Sequence, residues 1–405
     1  MSKHIAIVAA LDTKGAEVQL IRDFIVSHGH IPVMVDVGVL GDSTTRVDVT
    51  SADVAAVGGA NLPQLRHAQD KAAAMDAMTR GAAVVAARLL REKRLDGIIS
   101  IGGSAGTSIG TSAMRTLPVG IPKLMVSTVA SGDTRAYVGT KDITMMYSVV
   151  DIAGINRISA AILTNAAGAI VGMVEAERPT IEARPVIAAS MFGNTTACVD
   201  RARANLEEKG YEVLVFHATG SGGQTMESLI ADGFVQGVLD LTTTEWADEL
   251  AGGVFAGGPD RLDAAAKAGI PAVVAPGCLD MVNFWGIETV PEKYRDRNLY
   301  KWNPNITLMR TTPDENRQLG EIIARKLNQS TGPVSVLLPL KGLSQLDSVD
   351  NPFWSPEADQ ALFDSLKSNL RPDIEVTELD LNINDAAFSD AASTKLLELM
   401  AKVGH

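Results

Sequence analysis

The sequence predicts an α/β fold built from two similar doubly wound parallel sheets in tandem. Three observations predict it. Apolar runs of strand length alternate with amphipathic stretches throughout, as in parallel sheets covered by helices. Hydrophobic residues make up 46% of the chain but aromatics only 4%, with 36 glycines, a composition suited to helices lying close on Val/Ile-rich strands. The order of elements in the first half then recurs in the second. With 405 residues the chain also exceeds what one core organises, so two domains are expected, 1–182 and 183–405.

In the first half, Ile5 to Ala10 is a continuous apolar run and reads as a buried strand. Gly15 to His28 is an amphipathic helix closed by Gly29, and Ile31 to Val37 is the second strand. A more polar stretch from Gly38 to Met75 precedes a helix ending near Lys93. Gly97 to Ile101 and Lys123 to Thr128 supply the third and fourth strands. A helix over Val149 to Thr164 is expected to lead into a further strand, Ala169 to Val174.

The second half repeats the plan. Val186 to Ala189 is a strand, Thr196 to Glu208 a helix with Gly210 at its end, and Glu212 to Phe216 the next strand. Gly97-Ile-Ile-Ser-Ile101 corresponds to Gly237-Val-Leu-Asp-Leu241, and Gly120-Ile-Pro-Lys123 to Gly269-Ile-Pro-Ala272. Beyond Asn305 come a helix (Pro313 to Leu327), a strand (Val334 to Leu338), a polar loop over Asp347 to Pro356, another helix and the strand Glu375 to Leu379.

Composition narrows the function. A formal charge of −12 argues against a nucleic-acid backbone as partner, which needs clustered Lys and Arg. Cys198 and Cys278 are the only cysteines and stand far apart, as in a reduced, cytoplasmic protein. The sequence offers no signal peptide and no uninterrupted apolar run of membrane-spanning length, and the six histidines lack metal-ligand spacing.

The most informative motif is Asp96-Gly-Ile-Ile-Ser-Ile-Gly-Gly-Ser-Ala-Gly-Thr107. A strand empties into a glycine- and hydroxyl-rich loop that opens a helix, the arrangement that presents unpaired backbone N–H groups to a phosphate. It is not a Walker A loop, which ends in Gly-Lys-Ser/Thr. After the first strand, Leu11-Asp12-Thr13-Lys14-Gly15 opens another helix. Lys14 can place an ammonium near phosphate oxygens. Asp12 can orient Lys14, accept a ribose hydroxyl or hold Mg2+ through water, or with Thr13 simply cap the helix; the sequence leaves these open. Asp36 ends the second strand where dinucleotide folds carry a ribose-binding acid, but the glycine pattern of such folds is missing.

In the second half, Gly193-Asn-Thr-Thr196, His217 to Gly223, Thr242 to Glu245 and Pro276 to Asp280 leave equivalent strand ends. His217 and Glu245 are the candidate acid/base pair, expected to face one crevice. Cys278 is expected to be a buried structural thiol.

These motifs identify a resemblance. Asp12-Thr-Lys14, Gly102-Gly-Ser-Ala-Gly-Thr107, Val126-Ser-Thr-Val-Ala-Ser-Gly132, Ser148-Val-Val-Asp-Ile152, Phe216-His-Ala-Thr-Gly220, Gly237 to Glu245 and Leu279-Asp-Met-Val-Asn-Phe284 resemble the Tm-one-like ATP-binding family, over nearly the whole chain. That family takes in a tobamovirus-resistance protein of tomato and bacterial relatives. The resemblance implies two Rossmann-like subdomains with ATP in the first. On the matching motifs its contacts fall on Asp12, Thr13, Lys14, Gly102, Gly103, Ser104, Ala105, Gly106 and Thr107, and more loosely on Gly41 and Gly81. The family often has Gly where Ala105 stands, and this chain lacks the barrel-like domain of the plant proteins, so antiviral inhibition is not carried over. The expected function is an ATP-dependent ligase or phosphotransferase, with Mg2+, acting on a small polar substrate between the domains; the alternatives are a non-catalytic ATP-dependent binding protein and, third in order, a sugar- or phosphometabolite-binding protein that uses the crevice of the second domain alone. A homo-oligomer is expected, with no nucleic-acid or membrane partner.

Overall fold

The computed structural model describes residues 2–43, 45–180 and 182–404. The chain divides into two compact units, Met1–Thr180 and Ile181–His405.

The first unit is a five-stranded parallel sheet ordered β2-β1-β3-β4-β5. Its strands are β1 (His4–Ala9), β2 (Ile31–Asp36), β3 (Gly97–Gly102), β4 (Lys123–Ser127) and β5 (Thr144–Tyr147). The strand period of two splits β1 between two cores. Ile5, Ile7 and Ala9 join one cluster with α1 (Leu11–Ser27), and Ala6 and Val8 join the other. The short helices α2 (Ser51–Val57) and α3 (Leu62–Ala68) and the long α4 (Lys71–Arg91) fill the polar stretch after β2, with α2 and α4 on that second face. Beside them packs α5 (Ser104–Arg115), and the single turn α6 (Arg135–Val138) follows β4.

One expectation fails here. Residues 169–174 are not a strand: α7 runs unbroken over Arg157–Glu175. Leu163, Ala166, Ala167, Ile170, Val171 and Val174 recur at helical spacing and are buried against the sheet, so the short apolar run belongs to a helix face. This is the one described helix long and apolar enough to cross a membrane by length and composition; a third of it is buried, and that buried stripe packs in the core of the first sheet.

The second unit holds a six-stranded parallel sheet ordered β14-β13-β9-β8-β6-β7. These are β6 (Val186–Met191), β7 (Glu212–His217), β8 (Gly237–Thr242), β9 (Ala272–Gly277), β13 (Val334–Pro339) and β14 (Glu375–Leu379). A separate antiparallel sheet is formed by β10 (Met281–Phe284), β11 (Leu299–Asn303) and β12 (Ile306–Arg310), which the sequence pattern does not announce. Helices α8 (Thr196–Glu208) and α14 (Ala386–Lys402) cover one face. On the other lie α9 (Ser221–Ala231), α10 (Glu245–Ala251), α11 (Asp263–Ala268), α12 (Pro313–Leu327) and α13 (Pro356–Asn369).

The repeat read from sequence is physical. Gly120 and Gly269 both adopt positive φ (90° and 69°), which lets the chain turn before Ile-Pro and enter β4 or β9. Behind them the Ile98 amide donates to the Pro122 carbonyl and the Val238 amide to that of Pro271, each at 2.9 Å. The Ile31 amide likewise donates to Lys3, as Glu212 does to Pro185.

Candidate nucleotide site and a second polar crevice

In both sheets the strand order reverses beside the first strand, between β1 and β3 and between β6 and β8. Ligands of doubly wound folds lie outside the carboxyl ends of the strands at that switch. In the first unit the residues emerging there are 10–15 and 102–107.

The two helix starts at this switch differ in what already occupies them. At α1 the Leu11 amide donates to Asp36 Oδ1 at 3.0 Å, and the same oxygen accepts from Gly38 at 2.9 Å. Asp36, buried at 3% exposure and with its carboxyl raised by that burial, is thus the missing cap of α1 and no ribose reader. Asp12 Oδ2 accepts from the Leu40 and Gly41 amides at 2.7 and 3.1 Å, so Asp12 closes the loop after β2. Arg66 ties down the same loop through the carbonyls of Val39 and Gly41. Two carboxylates therefore stand at the start of α1, which makes it a poor place for a phosphate.

The start of α5 is open. Its N-cap is Gly103, no side chain caps it, no acid occupies its first turn, and Ser104 and Ala105 are exposed. Twelve residues of helix present their leading amides and positive dipole end to solvent. Gly102 makes this possible: a Cβ there would stand 2.7 Å from Gly106 Cα, so only glycine lets the strand pass so near the helix start. A Cβ on Gly106 would approach the Ile101 carbonyl to 3.3 Å, and this glycine is not at positive φ.

Thr107 does not join the exposed set. Its hydroxyl bonds to the Gly103 carbonyl and to Ser127, at 2.8 and 2.7 Å, and the residue is fully buried. It holds the loop in shape. Gly81 also stands apart, in mid-α4, where a Cβ would overlap the Val54 carbonyl of α2; it is a helix-packing glycine. Thr13 is exposed, with its hydroxyl 3.4 Å from the Ala10 carbonyl. Lys14 breaks the helical dihedrals (φ −122°, ψ 19°) and donates to the Ile152 carbonyl. Ile152 belongs to the segment that leads from β5 to α7, and Val149 in it holds φ 63°, an outlier for a β-branched residue.

In the second unit the structure separates His217 from Glu245. His217 is exposed and stacks on Phe192, ring centroids 5.4 Å apart. Glu245 has no exposed surface, and its oxygens accept from the Gly220 and Gly223 amides (2.7 and 3.1 Å) and from Arg261 (2.6 Å). It caps α9 from below and is absent from the crevice lined by His217, Phe192, Asn194 and Trp302. The expected acid/base pair is therefore not assembled. Cys278 is a buried thiol at φ 58° whose ionisation is suppressed by burial and by Asp280.

Residues 3–179 match the N-terminal domain, and residues 184–400 the C-terminal domain, of the uncharacterised protein family UPF0261. The chain belongs to the UPF0261 family. A UPF0261 protein of Clostridium tetani is 52% identical over 99% of this chain and 100% of its own length. The ToMV resistance protein Tm-1(GCR237) of Solanum lycopersicum is 45% identical over 78% of this chain but only 43% of its own length. Among solved structures, a UDP-N-acetylglucosamine 2-epimerase from Rickettsia bellii aligns over 99% of this chain and 96% of its own, at 9% identity and a TM-score of 0.23, a likeness too slight to carry a functional comparison.

What sequence reasoning missed in this UPF0261 chain is Arg261. Its guanidinium is 1% exposed and meets three carboxylates: both oxygens of Asp240 (2.5 and 2.7 Å), Glu245 and Glu227 (3.2 Å). Ser190 adds a hydrogen bond to Asp240 at 2.6 Å. The signal was Asp240 itself, a lone acid in the wholly buried strand β8, which demands a buried cation.

A second buried group gives a pH prediction. Asp248 accepts from the Asn283 and Phe255 amides at 2.7 and 2.8 Å but has no cationic partner among the described residues, and burial pushes its carboxyl up to about 7. Burial and the Asp347 charge also raise Asp280 and Asp359. An unfolded Asp releases its proton near its ordinary value of 3.8, while the folded protein keeps these protons to higher pH. Stability contributed by them is complete below that value and is lost as pH rises toward neutrality, by about 1.4 kcal/mol per pH unit per proton. The C-terminal domain should therefore melt higher at about pH 5.5 than at about pH 7.5, and Asp248→Asn should flatten the difference. A melting temperature that climbs over that range would contradict the assignment.

Proposed function

We propose that the N-terminal domain binds ATP, with its phosphates at the start of α5 and Lys14 neutralising part of their charge. The observation that carries this reading is the uncapped, acid-free N-terminus of α5 at the β1/β3 switch, beside an α1 start that is already closed by carboxylates. The amides of Ser104, Ala105 and Gly106 would supply fixed donors. Asp12 fits a nucleotide-bound Mg2+ through water, because its buried Oδ1 has no hydrogen-bond partner. Mg2+ would supply charge neutralisation of the phosphates.

Whether ATP is consumed divides two readings. A ligase or phosphotransferase works chiefly by positioning and electrostatic stabilisation, helped by an acid/base group, and Glu245, the acid expected for that work, is sealed behind the Gly220 loop. That observation favours a nucleotide-dependent binding protein; turnover stimulated by a small polar carboxylate or amide would favour the enzyme instead.

Calorimetric titration with MgATP tests the shared part. Lys14→Ala should weaken binding by about 1–3 kcal/mol, the scale of a charge-assisted hydrogen bond. Wild-type affinity in the folded variant would remove Lys14 from the site.

A further inference from the structure

We propose that the C-terminal domain carries a second small-molecule site, for an uncharged polyhydroxylated ligand such as a free sugar or polyol, at the carboxyl edge of its own sheet. Two adjoining cavities open there, of about 690 and 200 Å3, and both are lined by Gly193 and Asn194 at the end of β6. The larger is walled by carboxamides, Asn194, Gln345, Asn382 and Asn384 among them, with hydroxyls between. Among the described residues that line it there is no Lys, Arg or His, and Asp385 is the single charge. The smaller presents aromatic rings, including Phe192, Phe255 and Trp302.

Asn194 joins the two. It is 2% exposed, and its side-chain oxygen has no hydrogen-bond partner. Its backbone carbonyl is fixed by the Gln345 amide at 3.1 Å and by Asn384 Nδ2 at 2.9 Å, which leaves the Asn384 side-chain oxygen unpartnered as well. Buried acceptors are ordinarily satisfied, so two orphans lining one cavity mark a place for incoming donors. The amide donors of Asn351, Asn382 and Asn384 are already engaged within the chain, so a phosphate or carboxylate, which brings acceptors, would face the two orphan oxygens and Asp385. Ligand hydroxyls bring donors, and the C–H face of a sugar ring matches the neighbouring rings. The selection is thus for a neutral ligand, in a site independent of the one proposed for ATP.

The test uses the full chain, a panel of free aldoses, ketoses and alditols, and the corresponding sugar phosphates as comparators. Tryptophan fluorescence and thermal shift should show saturable binding by a neutral member and weaker binding by its phosphate. Asn384→Leu and Trp302→Ala, the latter at a 42% exposed position, should each weaken that binding by about tenfold or more while MgATP affinity holds. No response to any neutral member, tighter binding of the phosphates, or wild-type sugar affinity in both variants would each overturn the proposal.

Discussion

Arg261→Met is expected to destabilise the C-terminal domain by about 3–5 kcal/mol, the cost of leaving buried carboxylates without their cation. The side chain is 1% exposed and is the shared partner of Asp240, Glu245 and Glu227. Methionine fills similar space, so the loss would report charge and hydrogen bonding more than a cavity. Because Glu245 also caps α9, the defect should spread to the loop carrying Gly220 and Gly223. Denaturant unfolding measures it. Asp240→Asn in the same chain should recover part of the loss, since it removes one of the stranded charges. Near wild-type stability in Arg261→Met alone would show that the cluster contributes little.

Gly103→Asp is the second large expected effect, and it separates folding from binding. Gly103 is the N-cap of α5 in extended geometry (φ −76°, ψ −162°), where aspartate is favoured. A Cβ there would meet nothing closer than the Thr128 hydroxyl at 3.7 Å. The new carboxylate would cap the free amides and complement the dipole, so stability should hold or rise by a few tenths of a kcal/mol. The same carboxylate occupies the ground proposed for phosphate. MgATP binding should therefore fall below detection in a protein that melts no lower. A helix whose only task is packing would gain the cap and lose nothing.

The contrast between α1 and α5 explains what was legible in the sequence. Strand, Gly-rich loop and helix start were readable at 97–107 because glycine and chain direction announce them locally. The repeated Gly-Ile-Pro was readable because a positive-φ glycine before a proline leaves few conformations. Roles that depend on distant partners were not. Asp36 looked like a ribose reader and proves to cap a helix 25 residues earlier. Thr107 looked like a donor, but Ser127 and the Gly103 carbonyl take its hydroxyl. Glu245 looked catalytic until Arg261, 16 residues on, claimed it. The 169–174 run is ambiguous for a local reason: a short apolar run fits a strand or a helix face, and the spacing back to Leu163 decides between them. The edge strand β5, part-buried and without apolar alternation, gave little to read.

Hydrogen exchange of the full chain, with and without MgATP, tests the central claim most directly. The amides of Ser104, Ala105 and Gly106 lack intrahelical acceptors and should exchange fast in the free protein. Nucleotide should slow them, together with the 10–15 segment at the neighbouring strand end, and leave α4 around Gly81 unchanged. No protection at 104–106 under saturating MgATP, or protection confined to the C-terminal domain, would contradict it.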